Sequence, residues 1–178
     1  MAAPIKPALK RAQGSDSWLW VPAIADTTAP TDTEVGAASG FNLSCSLFSD
    51  QEGITATTEK VTLPQLLCET ETYEVNGATS YSAPDFQISF DPQAASGADG
   101  KKAWESMDDN ASGFLVRRQG VAATSDVATG QFVDVIPAQL GVKVPTKTGT
   151  GADAVYAFTV GASVTGKPSW NVAIVAGA

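Results

Sequence analysis

The stretch Asp85-Phe86-Gln87-Ile88-Ser89-Phe90-Asp91, entered from Pro84, decides the fold class. In an extended chain successive side chains point to opposite sides, so Phe86, Ile88 and Phe90 share one face and Asp85, Gln87, Ser89 and Asp91 the other. One face is dry and the other wet, the signature of a half-buried strand. Upstream, Phe41, Leu43, Cys45 and Leu47 alternate with Asn42, Ser44 and Ser46 in the same way. A first strand is expected over residues 17–24, carrying Trp18, Leu19, Trp20 and Val21. Residues 59–67 and 69–75 read as further strand material, and Asn76-Gly77 as the hairpin turn that follows them. Downstream, strands are expected over 114–119, 132–136, 141–145, 154–164 and 170–175. One helix is expected over 99–110, capped by Asp99, with Ala103, Trp104 and Met107 on one face and Gly113 ending it.

Composition agrees: 16 Val, 6 Ile and 18 Thr stand against 9 Leu, a balance that favours pleated strands over helix bundles. The fold expected is mainly β, a β-sandwich or small barrel with one flanking α-helix. Residues 1–15 form an extended N-terminal arm before a single domain at 16–178. Residues 26–40 lack large apolar side chains and read as a long loop.

With 178 residues the chain can bury about 70% of its unfolded surface. Histidine is absent, which excludes Ser-His-Asp and Cys-His nucleophile systems, HExxH zinc sites and imidazole pH switches. A net charge of -8 argues against a protein that grips nucleic acid through its phosphates. The basic start, with Lys6, Lys10 and Arg11, is interrupted by Pro4 and Pro7 and runs into no apolar segment of a secretory signal. The apolar stretches around 133–144 and 171–176 fall short of the ~20 residues of a membrane helix. Cys45 and Cys68, in apolar-patterned segments, are expected as buried reduced thiols. The triplets at Asn42 and Asn110 match a glycosylation acceptor but carry little weight without an export signal.

Few residues point to chemistry. The glycines of 149–154 have the spacing of a dinucleotide loop, but a strand-like run follows where a helix is needed, so a hairpin turn is the better reading. Glu69, Glu71, Glu74, Asp85 and Asp91 could supply a carboxylate pair for glycoside hydrolysis, but carboxylates on solvated strand faces are far commoner. No catalytic residue, cofactor or metal ligand is assigned. Asp108 and Asp109 sit at a helix end where the dipole disfavours them, which suits a solvated end or a subunit contact. Charge placement says more. From Asp16 to Asp99 there are 13 acidic residues and one basic, Lys60, a net of -12, whereas the remainder is +4. A negative region beside a basic arm and basic pairs at Lys101-Lys102 and Arg117-Arg118 suits head-to-tail association.

Taken in order, the basic arm followed by Trp18-Leu19-Trp20-Val21, the segment 59–64 leading to Tyr73-Glu74-Val75-Asn76-Gly77, and Ser82-Ala83-Pro84-Asp85-Phe86 form a recognisable series. Lys102-Ala103-Trp104, Gly113-Phe114-Leu115-Val116-Arg117-Arg118 and a Val-rich terminal strand continue it. In this series the chain resembles the major tail protein, or tail tube protein, of long non-contractile-tailed bacteriophages, especially those of actinobacterial hosts. The resemblance spans nearly the whole chain and rests on the order of elements rather than on any single motif.

The resemblance implies a non-enzymatic structural subunit, six copies of which form a ring with a continuous inner barrel. Rings would stack into a tube along a tape-measure protein, with tail terminator and distal tail proteins as further partners, and the genome would slide through an acidic lumen without being held. It places the protein in the virion tail, assembled in host cytoplasm, with no membrane partner. Candidate lumen residues are Glu69 and Glu71, or Glu74 on the opposite face, with Asp85 and Gln87. Candidate inter-subunit residues are Lys6, Lys10, Arg11, Lys101, Lys102, Asp108, Asp109, Arg117 and Arg118, with the arm and the 26–40 loop between stacked rings. The rival readings are a stand-alone glycan-binding module using Trp18, Trp20 or Trp170 as stacking platforms, and a capsid decoration protein.

Overall fold

The computed structural model of the chain describes residues 9, 11–37, 39–48, 53–68 and 70–177. In chain order the elements are β1 (Asp16–Val21), α1 (Asp32–Val35), β2 (Phe41–Asn42), β3 (Thr55–Thr62), β4 (Glu74–Ser82), β5 (Phe86–Ser89) and α2 (Asp99–Ser106). There follow β6 (Ser112–Gln119), β7 (Phe132–Leu140), β8 (Val144–Thr148), a 3-10 turn (Gly151–Asp153), β9 (Val155–Val160), β10 (Ala162–Val164) and β11 (Ser169–Ala173). The fold is mainly β and sandwich-like, as the sequence led us to expect.

Six strands form one sheet in the order β10-β7-β6-β1-β2, with β11 also paired to β7. A second sheet has the order β5-β9-β8, and β3 and β4 stand apart as a two-stranded sheet. Trp18 and Trp20 of β1, with Leu115 and Ile136, face Phe86, Ile88, Phe158 and Val160 of the second sheet and form the inter-sheet core. Trp18 meets Phe86 edge to face, with ring centroids 5.4 Å apart. Ala103 of α2 and Met107, just past its end, close the same core. Trp104 stacks on Phe90 at 4.8 Å and meets Phe158 edge-on at 5.2 Å. The opposite face of the large sheet carries Leu19, Val21, Val116, Val133 and Val135, covered by Val35 and Ile174. Burial on both faces explains why Trp18-Leu19-Trp20-Val21 is an unbroken apolar run.

In the second half of the chain, the switches between the large and three-stranded sheets fall at Gly141, between β7 and β8, and at Gly161, between β9 and β10. The two corners touch, the Gly141 amide donating to the Gly161 carbonyl at 2.8 Å. A Cβ on Gly161 would come within 2.9 Å of an Asp85 carboxylate oxygen, so a larger residue at this corner would push that side chain aside.

Several expectations are corrected. The 26–40 segment is not loop throughout: it contains α1, started by a capping box in which the Glu34 amide donates to Thr31 Oγ1 at 3.2 Å and the Thr31 amide to Glu34 Oε2 at 2.9 Å. Val35 then buries under the large sheet. The alternation at 41–47 is strand only as far as Asn42, whose Oδ1 accepts the Ser44 amide at 3.0 Å and so turns the chain. Leu43 is buried but Cys45 is exposed, and Cys68 is exposed too, both free thiols, against the expected burial.

Asn76-Gly77 is not a turn. It lies inside β4, at a bulge where the register with β3 shifts between Thr58 and Lys60. Gly77 passes so close to Val61 that a Cβ there would stand 2.9 Å from Val61 Cγ2, which explains the glycine without a turn. The actual turn spans residues 63–73, its neck closed by the Leu63 amide donating to the Tyr73 carbonyl at 2.8 Å. Helix α2 ends at Ser106 rather than 110, and its N-cap is Ala98, with no side-chain cap. Asp99 is drawn instead to Lys102, at 2.7 Å, one turn on. Residues 141–145 are a corner leading into β8, and the 149–154 glycines do form the β8–β9 hairpin turn.

Candidate functional site

The most distinctive surface is the β3–β4 hairpin. Its strands run eight and nine residues, and every one of them is exposed except Tyr81, which is half-buried. Among the described residues, neither outer edge pairs with another strand. Directly opposed residues of an antiparallel pair share a face. Thr62 and Glu74, Lys60 and Asn76, Thr58 and Thr79, and Ala56 and Tyr81 therefore line one face. It is polar: Lys60 Nζ lies 3.6 Å from Glu74 Oε2, and Thr58 and Thr79 hydroxyls hydrogen-bond at 3.0 Å. Val61 opposes Val75 on the other face, and the Leu63–Tyr73 closure extends that face to the tip. These four are 46%, 44%, 42% and 52% exposed respectively, an apolar patch with nothing of its own chain covering it fully.

The second solvated surface is the outer face of the three-stranded sheet. Gln87 opposes Thr159 there, and its Oε1 accepts the Thr148 hydroxyl at 2.8 Å. Asp85 shares this face and is exposed beside Gly161. The structure thus brings Asp85 and Gln87 together, and sets Glu74 on a separate sheet. Glu71 is exposed in the hairpin loop, its Oε2 accepting the Tyr73 hydroxyl at 3.3 Å. Glu69, Lys6 and Lys10 lie outside the described residues.

The basic pairs behave differently from one another. Arg118 is 1% exposed and is held wholly by its own chain. Its Nε donates to Ser17 Oγ at 3.2 Å, Nη1 to the Asp126 carbonyl at 2.9 Å and Gln131 Oε1 at 3.0 Å, and Nη2 to the Ala122 and Ser125 carbonyls at 3.2 and 2.7 Å. Desolvation by burial lowers its pKa, partly offset by the charge of Asp126. Arg117 makes a bidentate pair with Asp16 and lies over the Trp18 ring at 5.3 Å. That carboxylate bonding raises its pKa. Lys102 is exposed and paired to Asp99, and Lys101 donates to the Ala94 carbonyl at 3.3 Å. Asp108, Asp109 and Arg11 are exposed, and Asp109 Oδ1 accepts the Lys143 amide at 3.0 Å.

Sequence reasoning missed two features. The capping signal Thr31-x-x-Glu34 was present, masked by the lack of large apolar neighbours. The enclosure of Arg118 was signalled by its parity with Phe114 and Val116, which puts it on a covered face. Among the described residues, no group of three or more His, Cys, Asp and Glu is placed to hold a metal ion. None of their helices is long and apolar enough to cross a membrane. Of the three tryptophans considered as ligand platforms, Trp18 and Trp20 are buried, and Trp170 is 45% exposed.

Comparison with solved structures finds similarity to a chain of the cryo-EM structure of the anti-feeding prophage baseplate, 6-fold symmetrised. The TM-score is 0.50 at 9% sequence identity, over 95% of this chain and 98% of that one, a likeness of fold. Comparison with curated proteins finds no match. A family model described as phage tail tube protein matches residues 4–177. With the match covering nearly all of the mainly β chain, the protein belongs to the phage tail tube protein family and is a structural subunit of the phage tail.

Proposed function

We propose that six copies close into a ring, that rings stack head to tail into a tube, and that the genome passes through the lumen. The observation that carries this reading is the β3–β4 hairpin. A lone two-stranded hairpin exposed on both faces is marginal in water, and two open edges invite pairing with another chain. A ring of copies closes such edges, and a heterologous contact between rings propagates a filament. The six-fold symmetry of the assembly holding the structural relative accords with this.

On this reading residues 16–178 form one domain preceded by the arm 1–15, and the lumen draws on the solvated faces carrying Glu74, Asp85 and Gln87 with Glu69 and Glu71 of the hairpin loop. Exposed Lys102, Asp108 and Asp109, with the arm, supply contacts between copies. Tape-measure, tail terminator and distal tail proteins are the partners, and assembly takes place in the host cytoplasm before incorporation into the virion tail. The subunit acts by shape and charge, without catalysis or cofactor.

The test is the double variant Val61→Glu/Tyr73→Glu, imaged by negative stain over a concentration series. Both side chains are about half exposed, so the fold should change by no more than about 0.5 kcal/mol. The concentration at which rings or tubes form should rise about tenfold or more, since like charges now meet across an apolar contact. Tubes formed as readily as by the parent chain, or a parent chain monomeric at every concentration, would sink the proposal.

A further inference from the structure

A second concave surface lies across the large sheet from the inter-sheet core. It is a groove of about 480 Å³ between α1 and residues 124–127. Its lining includes the apolar residues Leu19, Val35, Phe41 and Val127 and the acidic residues Asp32 and Asp126. The Asp32 carboxylate is fixed in place, and Asp126 is anchored through its backbone. Asp32 Oδ1 accepts the Gly177 amide and Oδ2 the Thr129 hydroxyl, each at 2.8 Å, and the Asp126 backbone is held by Arg118 at 2.9 Å. Such a groove suits an extended segment that alternates apolar and basic side chains.

The N-terminal segment Ile5-Lys6-Pro7-Ala8-Leu9-Lys10-Arg11 mixes apolar and basic side chains in this way, and the two prolines at 4 and 7 disfavour helix there. The described residues of the segment, Leu9 and Arg11, lie outside the groove of their own subunit. Leu9 is 90% exposed, Arg11 is exposed, and neither lines it. The residues that follow the segment line a different hollow, where Ala12, Gln13 and Gly14 lie beside Trp18 and Leu47, and the Gly14 carbonyl accepts the Ala123 amide at 3.0 Å.

We infer that the groove receives the basic arm of a neighbouring copy, with Leu9 or Ile5 on its apolar residues and Lys6, Lys10 and Arg11 against Asp32 and Asp126. The inference rests on the tube reading for the neighbour's identity, but its geometry is independent of ring symmetry. It gives a use to the opposition between the acidic 16–99 span and the basic terminus, and it makes the contact directional, since arm and groove lie on different parts of the subunit.

The test uses full-length chains, one batch at natural isotope abundance and one labelled with nitrogen-15, mixed at assembly concentration and treated with a zero-length carbodiimide coupler. Mass spectrometry should find Lys6 or Lys10 joined to Asp126 or Asp32 in peptides of mixed isotope, and Asp126→Lys should cut their yield by about tenfold. Mixing Asp126→Lys chains with Lys6→Glu/Lys10→Glu/Arg11→Glu chains should restore assembly that each lacks alone, because each groove then meets an arm of opposite charge only on another chain. Links confined to one isotope, or rescue only when both sets of changes share a chain, overturn the inference by placing the arm in its own groove. Rings without mixed-isotope links overturn the docking and leave the tube reading standing. Mixed links in a soluble oligomer that never forms rings do the reverse, and absence of both rings and links overturns both.

Discussion

Arg118→Met is the perturbation that reads most directly on how the subunit is built. The guanidinium has five N–H donors and meets five acceptors at 2.7 to 3.2 Å, none of them a carboxylate. Hydrogen bonds to a charged group are worth about 1.5–3 kcal/mol each when one partner is deleted. Five taken at face value would exceed the whole stability of many domains, so the terms cannot add. Residues 122, 125 and 126 are exposed, and their carbonyls recover water when the arginine goes. Removing a buried charge also regains part of its desolvation cost. Ser17, at 0% exposure, has no such recourse, and Gln131 is half-buried. The net loss should be about 3 kcal/mol, a fall in Tm of roughly 6–12 °C for a chain of this size. Arg118→Lys keeps the charge but not the fork and should lose nearly as much. The assay is urea unfolding followed by the fluorescence of buried Trp18 and Trp20, with amide exchange across residues 120–131. A loss below about 1 kcal/mol, or unchanged exchange in that loop, would refute the claim that the arginine organises it.

Two smaller perturbations address α1. Thr31→Ala removes the hydroxyl that accepts the Glu34 amide at 3.2 Å and should cost about 1 kcal/mol in chemical denaturation; an unchanged midpoint would show that the tertiary contacts of Val35 suffice without the cap. Acidification should loosen the same corner. Glu34 is held below its ordinary pKa by the Ala25 amide and then by Thr31, and Asp32 by the Gly177 amide and then the Thr129 hydroxyl. A carboxylate depressed on folding contributes stability that is complete above its unfolded pKa and is lost as pH falls through the folded value. The protection factors of the Ala25, Thr31 and Gly177 amides, with the intrinsic pH dependence of exchange divided out, should therefore be steady near neutrality and fall selectively below about pH 4; uniform loosening of the whole chain, or none, would contradict it.

The legibility of this chain follows burial. At Phe86 and Ile88 one face is fully buried and the other wet, so alternation in sequence mapped onto strand without ambiguity. At 41–47 the alternation was equally clean, but Asn42 caps a turn by a side-chain bond that periodicity does not register. Asn76-Gly77 failed for a different reason. The dipeptide favours a turn only where the chain must reverse, and here a glycine was required by the approach of Val61. Cys68 failed because its apolar neighbours, Leu66 at 63% and Leu67 at 110% exposure, are themselves at the surface, and Cys45 because it lies past the turn begun at Asn42, where alternation no longer sets the face. Such residues misread as core are what a hairpin built for contact with another chain would carry, which is why sequence patterns lose their meaning at the surfaces of interest here.

The same distinction bears on charge. A net of -8 with -12 concentrated between Asp16 and Asp99 first suggests a broadly acidic wall. Many of those carboxylates are engaged within the subunit. Asp26, Asp32, Glu34 and Asp91 accept local or C-terminal backbone amides, and Asp16 and Asp99 pair with Arg117 and Lys102. Glu74 has Lys60 at 3.6 Å. What the two solvated β surfaces mostly offer is uncharged: Thr57, Ser80, Thr58 and Thr79 on the hairpin, and Gln87, Thr148 and Thr159 on the three-stranded sheet. In the proposed ring, a wall of hydroxyl and amide groups punctuated by Glu59, Glu71 and Asp85 would repel phosphate weakly and bind it nowhere. Without lysine or arginine clusters there are no counterions for DNA to release and no salt-bridged stops along the path. The conduit would then work through the scarcity of strong contacts more than through a strong negative field, and removing the Glu71 or Asp85 charge should matter less to DNA passage than adding one unpaired lysine to either surface.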